Sequence, residues 1–320
     1  MCVGIARREF LQGMAAVTAA HAIAPLALLG QSHSPFRVAV INGEISQDFG
    51  HACEVASHEF GMRWIELRGM WKKNIVNLDE KEVGEARRIL KKYQLKVTDI
   101  ASPLFKVDFP DAPKSKFSSE GGFGADFTYD QQNEVLDRAI AMAKAFGTDR
   151  VRCFDFWRLE DQTPYRTAIN ERLRQAAEKC GENGITLVLE NEPSCNTATG
   201  AEAAKVLDAI QTPHLMLNWD PGNAATLGET PYPDGYNLLP KSRIGHCHCK
   251  DAVKTAKGYE WAPMGGGIID WAGQFKALKR DGYHWAVSLE THWRGGGSPE
   301  ESSRESWAGM RKLLQEADAL

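Results

Sequence analysis

After residue 36 one pattern repeats eight times: a short apolar run of strand length, a loop, then a helical period. The runs are "FRVAVIN" after Pro35, "MRWIELRG" (62–69), "LKVTDIAS" (95–102), "DRVRCFDF" (149–156), "ITLVLEN" (185–191), "HLMLNWD" (214–220), "RIGHCHCKD" (243–251) and "HWAVSLETH" (284–292). Each is rich in β-branched, leucine and aromatic residues, as strands are. Helical segments follow at 79–94, 130–147, 165–184, 200–211, 269–282 and 298–320. In the first, Val83, Ala86, Ile89 and Leu90 share one face; in the second, Val135, Ala139, Ala143 and Phe146 do, with Gly147 as terminator. Strand alternating with helix predicts parallel βα units, and eight of them over this length predict a single-domain α/β protein, a TIM (β/α)8 barrel spanning 36–320. A doubly wound sheet is the alternative, but no glycine-rich turn follows the first strand. Two long connections, 103–127 and 251–268, follow strands and belong at the catalytic end of such a barrel.

The N-terminus reads differently. "ARREFLQG" (6–13) precedes the apolar stretch "MAAVTAAHAIAPLALLG" (14–30), which is short for a bilayer span and contains Pro25. Arg7 and Arg8 followed by Phe10 and Leu11 match a twin-arginine export signal, so residues 1–30 are expected to be a signal peptide and the protein periplasmic, without a stable membrane anchor. An ordinary N-terminal helix is the competing reading. Of seven cysteines, six lie beyond this segment; at this size a core needs no disulfides, and buried free thiols are expected. The net charge of -4 offers no bulk attraction for nucleic acid. A homo-oligomer is allowed.

In a barrel the polar groups at strand ends face the active site. Four consecutive strands end in strong ligands: Glu190, Asp220, His248 and Glu290. The motif "GHCHCKD" (245–251) invites a four-ligand zinc site, but side chains alternate along a strand. His246, His248 and Lys250 therefore share one face, Cys247 and Cys249 the other, and only His248 joins the carboxylates. Three carboxylates and one imidazole form a hard donor set for one divalent ion, with Mn2+ the first choice and Mg2+ or Co2+ the alternatives. Glu190 and Glu290 lie on strands that allow them to flank a ligand, one removing a proton next to a carbonyl and the other returning it.

These motifs carry a resemblance. "LENEP" (189–193), "WDPGN" (219–223), "GHCHCKD", "GGGIIDW" (265–271) and "SLETH" (288–292) resemble the sugar phosphate isomerase/epimerase family, the xylose-isomerase-like TIM barrels, over roughly residues 37–315. The resemblance implies Glu190, Asp220, His248 and Glu290 as metal ligands, with the two glutamates as acid/base pair. It places Glu66 at a pocket position and His246 as a supporting or substrate-facing neighbour. Gly265, Gly267 and Asp270 match its loop into the seventh helix. It implies a metal-dependent sugar isomerase or epimerase acting on a small sugar or derivative. Two positions depart from ketose 3-epimerases: Asn223 stands where those carry a histidine, and Lys254 where they carry an arginine, both substrate contacts there. A lyase or dehydratase on a keto-sugar, 3-keto-glycoside or inosose would use the same site. An endonuclease IV-like nuclease needs more histidine and aspartate ligands and a basic surface, and a non-catalytic sugar binder has no use for both glutamates. Arg68, Arg152, Trp157, Arg158, Lys250, Trp261 and Trp293 complete the pocket expectations, since aromatic faces suit sugar rings and arginine suits anionic groups.

Overall fold

The computed structural model describes residues 34–118 and 127–320, together with Met1. Apart from that methionine, the expected signal peptide lies outside the described residues. No helix among the described residues is long and apolar enough to cross a membrane. Residues 33–320 form one compact unit.

Eight parallel strands make the sheet: β1 (Arg37–Val40), β2 (Trp64–Leu67), β3 (Lys96–Leu104), β4 (Arg150–Cys153), β5 (Thr186–Glu190), β6 (Leu215–Trp219), β7 (Ile244–Cys249) and β8 (Ala286–Leu289). Each pairs with its neighbour in sequence from β2 to β8, and β8 pairs with β1. A parallel bridge between Ile41 and Glu66 then joins β1 to β2 and closes the barrel. The helices are α1 (Phe49–Glu54), α2 (Glu80–Lys92), α3 (Gln132–Phe146), α4 (Arg166–Glu182), α5 (Gly200–Ala209), α6 (Pro221–Thr226), α7 (Trp271–Arg280) and α8 (Pro299–Glu316). Their ends follow local chemistry. Asp79 and Glu82 cap α2 reciprocally, Ser298 caps α8 ahead of Pro299, and Gly147 leaves α3 at φ 70°. Ala86, Leu90, Val135, Ala139 and Phe146 bury the expected helix faces in one continuous apolar core.

The structure adds elements where the sequence pattern marks none. α1 runs on into a π-helical turn, Val55–Glu59, and α6 is a short helix begun by Pro221. The connection 251–268, expected as a loop, opens with a hairpin in which Asp251–Thr255 pairs with Gly258–Ala262. The six cysteines beyond the N-terminal segment are free and buried. Cys247 and Cys249 lie in the apolar core, opposite in facing to His246 and His248, with which they alternate.

Two register shifts bear on the site. Between β2 and β3, Ile65 pairs with Val97 but Leu67 with Ile100, so β3 carries one extra residue opposite Glu66. Between β6 and β7, Leu217 pairs with Ile244 but Asn218 with His246, so Gly245 is the extra residue. A Cβ on Gly245 would lie 2.9 Å from Met216 Cβ, which explains glycine there. Such bulges re-aim side chains locally. At the N-terminal ends of the strands, Arg150 stacks 3.5 Å from the centre of the Trp285 ring, and Arg37 stacks on both Trp64 and Trp285. This aromatic–guanidinium plug fills the lower end and leaves the upper end for chemistry.

Candidate metal centre and active site

The four strand-end ligands converge. Glu190 is the last residue of β5, Asp220 follows β6, His248 lies in β7 and Glu290 follows β8. One ligand atom from each lies within 4.8 Å of the others, and all four side chains are buried. His248 Nδ1 faces Glu190 Oε1 at 3.3 Å, Glu290 Oε2 at 3.3 Å and Asp220 Oδ2 at 3.7 Å. Asp220 divides its work. Oδ1 accepts the Asn223 N–H and caps α6, while Oδ2 turns to the cluster.

Buried charges require partners. Arg152 Nη1 lies 3.1 Å from Glu190 Oε2. Arg68 donates from Nη1 to Glu290 Oε1 at 2.8 Å and from Nη2 to Glu44 Oε1 at 2.5 Å. Lys250, with no exposed surface, places Nζ 2.6 Å from Glu290 Oε2 and 2.8 Å from Asp220 Oδ2. Gly222 makes room for it, since a Cβ there would meet Lys250 Cγ at 2.5 Å. Burial pushes the Glu290 carboxyl up, but Lys250, His292 and His248 outweigh it and hold the group well below the ordinary value. Burial likewise opposes ionisation of Glu190, and His248 and Arg152 more than compensate. Both glutamates are therefore carboxylates at neutral pH.

The donor set fits a hard divalent ion. Glu190 Oε2 and Asp220 Oδ2 are buried and receive no well-directed hydrogen bond, although Arg152 and Lys250 lie at ion-pair distance. Buried oxygens short of donors, beside a ring nitrogen on the same centre, are what such an ion takes. Lys250 already neutralises part of this charge, so two of the four ligands are shared between its ammonium and any bound ion.

The other expected pocket residues divide. Glu66 and His246, both without exposed surface, lie beneath His248. Glu66 Oε1 is 3.0 Å from His248 Nε2, on the ring edge away from the three ligand carboxylates, and Glu66 Oε2 is 3.5 Å from His246 Nε2. Neither is placed as a substrate-facing wall. The Asn223 amide donates to Glu190 Oε1 and Asn191 O. Trp261 covers the cluster, with its ring centre 5.1 Å from Lys250 Nζ and 5.4 Å from the His292 ring. Three residues are not brought in. Lys254 is exposed on the hairpin, four extended residues or about 13 Å of chain beyond Lys250. Trp157 packs in a separate small cluster with Phe154 and Cys195. Arg158 is spent on Glu202 at 2.6 Å and on the Cys195 carbonyl, a brace between loops.

Sequence reasoning missed Asn218, Glu44, His292 and Asp251. Asn218 Oδ1 lies 3.1 Å from His246 Nδ1; its position two residues before Asp220, on the same strand face, was the available signal. Glu44 and His292 make contacts between distant segments, which no local pattern marks. Asp251 accepts backbone N–H groups from Ala252, Gly265, Gly267 and Ile269, clasping the glycine-rich loop to the end of β7. Asp270 caps α7 through the Gly273 N–H.

A family model described as xylose isomerase-like TIM barrel matches residues 55–313. The chain belongs to that family. Three solved members of this fold show the range around a xylose isomerase-like barrel. The IolI protein, solved with a bound zinc atom, is 13% identical with a TM-score of 0.68, covering 87% of this chain and 98% of that one. The probable 3-DHS dehydratase AsbF from Bacillus anthracis, involved in petrobactin synthesis, is 19% identical with a TM-score of 0.65, over 87% and 98%. D-allulose 3-epimerase from Methylomonas sp. is 17% identical with a TM-score of 0.65, over 88% and 98%. At these identities the likeness is one of fold.

Proposed function

We propose that this xylose isomerase-like barrel is a divalent-metal-dependent sugar isomerase or epimerase that removes a proton next to a carbonyl and returns it. The observation that carries the reading is the pair of buried glutamates, Glu190 and Glu290, each 3.3 Å from His248 Nδ1, with Asp220 completing the donor set. Glu190, Asp220, His248 and Glu290 would hold the ion, Mn2+ by the hardness of the set. A bound ion would supply positive charge against the negative charge that develops on the substrate oxygens.

The chain's own groups supply the rest. In isomerisation one glutamate accepts the proton from the carbon and returns that same proton to the neighbouring carbon; in epimerisation the other glutamate first takes a proton from solvent and delivers it to the opposite face, and the first releases its own to solvent. Arg152 and Arg68 hold the two carboxylates in place, so little reorganisation accompanies transfer. Lys250, bonded to Glu290, provides a cation beside the acid/base oxygen. Trp261 places its ring centre 5.1 Å from Lys250 Nζ, an aromatic face beside the cluster that suits a sugar ring. A D-allulose 3-epimerase on the same fold supports a sugar substrate. With export of the chain through a twin-arginine signal, free sugars or glycoside derivatives are the substrate class, in the periplasm.

A second reading is elimination from a keto-sugar, 3-keto-glycoside or inosose. It is favoured by Lys254, which lies exposed, and Asn223, whose amide is spent on Glu190, because these occupy the two substrate-contact positions of the ketose 3-epimerases that this chain resembles. A probable dehydratase on this fold supports it. There the second proton goes to the leaving hydroxyl rather than to carbon.

Incubation of the purified protein with Mn2+ and panels of ketoses and 3-keto-glycosides in D2O distinguishes them. Deuterium at an α-carbon with retained hydroxyls means isomerisation or epimerisation, and loss of water means elimination. Glu290→Gln should lower kcat at least about a thousandfold and leave sugar binding nearly intact, within the range for loss of an acid/base group and its charge. No deuterium uptake from any sugar, or full turnover by Glu290→Gln, sinks the mechanism.

A further inference from the structure

His248 has two ring nitrogens, and only one can face the cluster. Nδ1 does so, within 3.7 Å of three carboxylates. The opposite nitrogen, Nε2, meets Glu66 Oε1 at 3.0 Å, and neither side chain has exposed surface. We propose that Glu66 is the positioning residue of the centre: its carboxylate accepts the His248 Nε2–H and thereby keeps Nδ1, where a bound ion would replace the proton, turned toward Glu190, Asp220 and Glu290. This rests on the metal reading above and adds which residue makes His248 a ligand.

The neighbouring side chains do not serve this role. The Asn218 amide nitrogen is 3.3 Å from His248 Nδ1 and 3.2 Å from Nε2. The two nitrogens of an imidazole point outward in diverging directions, so an atom nearly equidistant from both lies beside the ring and selects neither tautomer. Asn218 instead serves His246, through Oδ1 and His246 Nδ1 at 3.1 Å. His246 stands outside the four-residue cluster: its Nδ1 meets Asn218 Oδ1, and its Nε2 faces Glu66 Oε2 at 3.5 Å, where Glu66, His246 and His248 form a second group of potential ligands.

The backbone is arranged for this contact. The extra residue in β3 falls opposite Glu66, and the extra residue in β7, Gly245, brings His246 level with Asn218. Both bulges sit at strands that contribute to the layer beneath the ligands, where a bulge aims side chains that regular pairing would not. Both Glu66 oxygens face imidazole nitrogens, Oε1 at His248 Nε2 and Oε2 at His246 Nε2. A charged acceptor on Nε2–H strengthens both the orientation of the ring and its basicity toward a metal.

The test uses the full chain and two substitutions at the same site. Glu66→Leu removes the acceptor; Glu66→Gln keeps an acceptor oxygen but removes the charge. His246→Gln serves as the neighbour control. Mn2+ affinity is read from the EPR signal of free Mn2+, and ligand geometry from the visible absorption of the Co2+-loaded protein. Glu66→Leu should weaken Mn2+ binding about 10–100-fold and alter the Co2+ bands, and Glu66→Gln should weaken it about tenfold, as loss of a ligand-orienting partner does. His246→Gln should stay within about threefold of the native chain, since the His246 ring meets Glu66 and the edge of the His248 ring but forms no ion pair with Glu190, Asp220 or Glu290. If Glu66→Leu fails to fold, Glu66→Gln decides. Native Mn2+ affinity and Co2+ spectrum in the folded Glu66 variants overturn the assignment, as does an equal loss in His246→Gln. A native chain that binds no divalent ion overturns the metal reading itself, a result distinct from a strong native site indifferent to Glu66.

Discussion

Asp99 offers a sharp test of how the barrel interior handles charge. It lies in β3 at the bulge, has no exposed surface, and neither carboxylate oxygen has a hydrogen-bond partner. Burial, reinforced by the neighbouring Glu66 carboxylate and only partly opposed by Arg152 and His248, pushes its carboxyl up to about 8 from the ordinary 3.8. Between pH 5 and pH 8 the unfolded chain has lost this proton and the folded chain keeps it. The folded state binds more protons, so stability falls as pH rises through this window. The slope is about 1.4 kcal/mol per pH unit, or about 4 kcal/mol across three units. The side-chain amide introduced by Asp99→Asn would be neutral at every pH and close in shape to the protonated acid. The stability gap between Asp99→Asn and the native chain should therefore widen in favour of the variant by about 4 kcal/mol from pH 5 to pH 8, since only the native chain carries the titrating group. Urea unfolding of both proteins at pH 5, 6, 7 and 8 measures it. A gap constant to within about 1 kcal/mol would refute the reasoning, because it would mean that Asp99 ionises as easily inside the barrel as outside it.

Two further outcomes follow from the site. Gly267→Ala would put a Cβ 2.0 Å from Asp251 Oδ1 and break the clasp that accepts four backbone N–H groups, so the variant should lose about 2–4 kcal/mol in thermal unfolding; a loss under about 0.5 kcal/mol would contradict the role given to Asp251. Removal of divalent ions with a chelator should lower the unfolding temperature, and Mn2+ added at a thousandfold excess over its dissociation constant should restore about 4 kcal/mol; indifference to both treatments would tell against an ion at this cluster.

Much of the architecture was legible in periodicity. The eight strand runs and the helical faces need only local alternation and the 3.6-residue repeat, and caps such as Asp79, Gly147 and Ser298 lie next to the elements they end. Alternation also separated the histidines of "GHCHCKD" from its cysteines, and the strand-end rule nominated Glu190, Asp220, His248 and Glu290. The hairpin at 251–262 was missed because its two strands are only five residues each, and its pairing resides in backbone hydrogen bonds.

What the sequence alone determined is the order of elements, the facing of side chains within each strand, and therefore which residue types reach the upper end of a barrel. Only the tertiary structure decided which of them meet. Glu66 and His248 are 182 residues apart and touch because β2 lies across the closed barrel from β7. Lys250 was expected at the pocket, yet its bond to Glu290 and Asp220 depends on the space left by Gly222 in α6. Lys254, Trp157 and Arg158 looked equally suited from their types and lie elsewhere, because a hairpin, a small apolar cluster and Glu202 claim them. Period specifies direction within one element. Closure of the barrel and one-residue bulges specify distance between elements, and it is distance that turns four acids and bases into a centre.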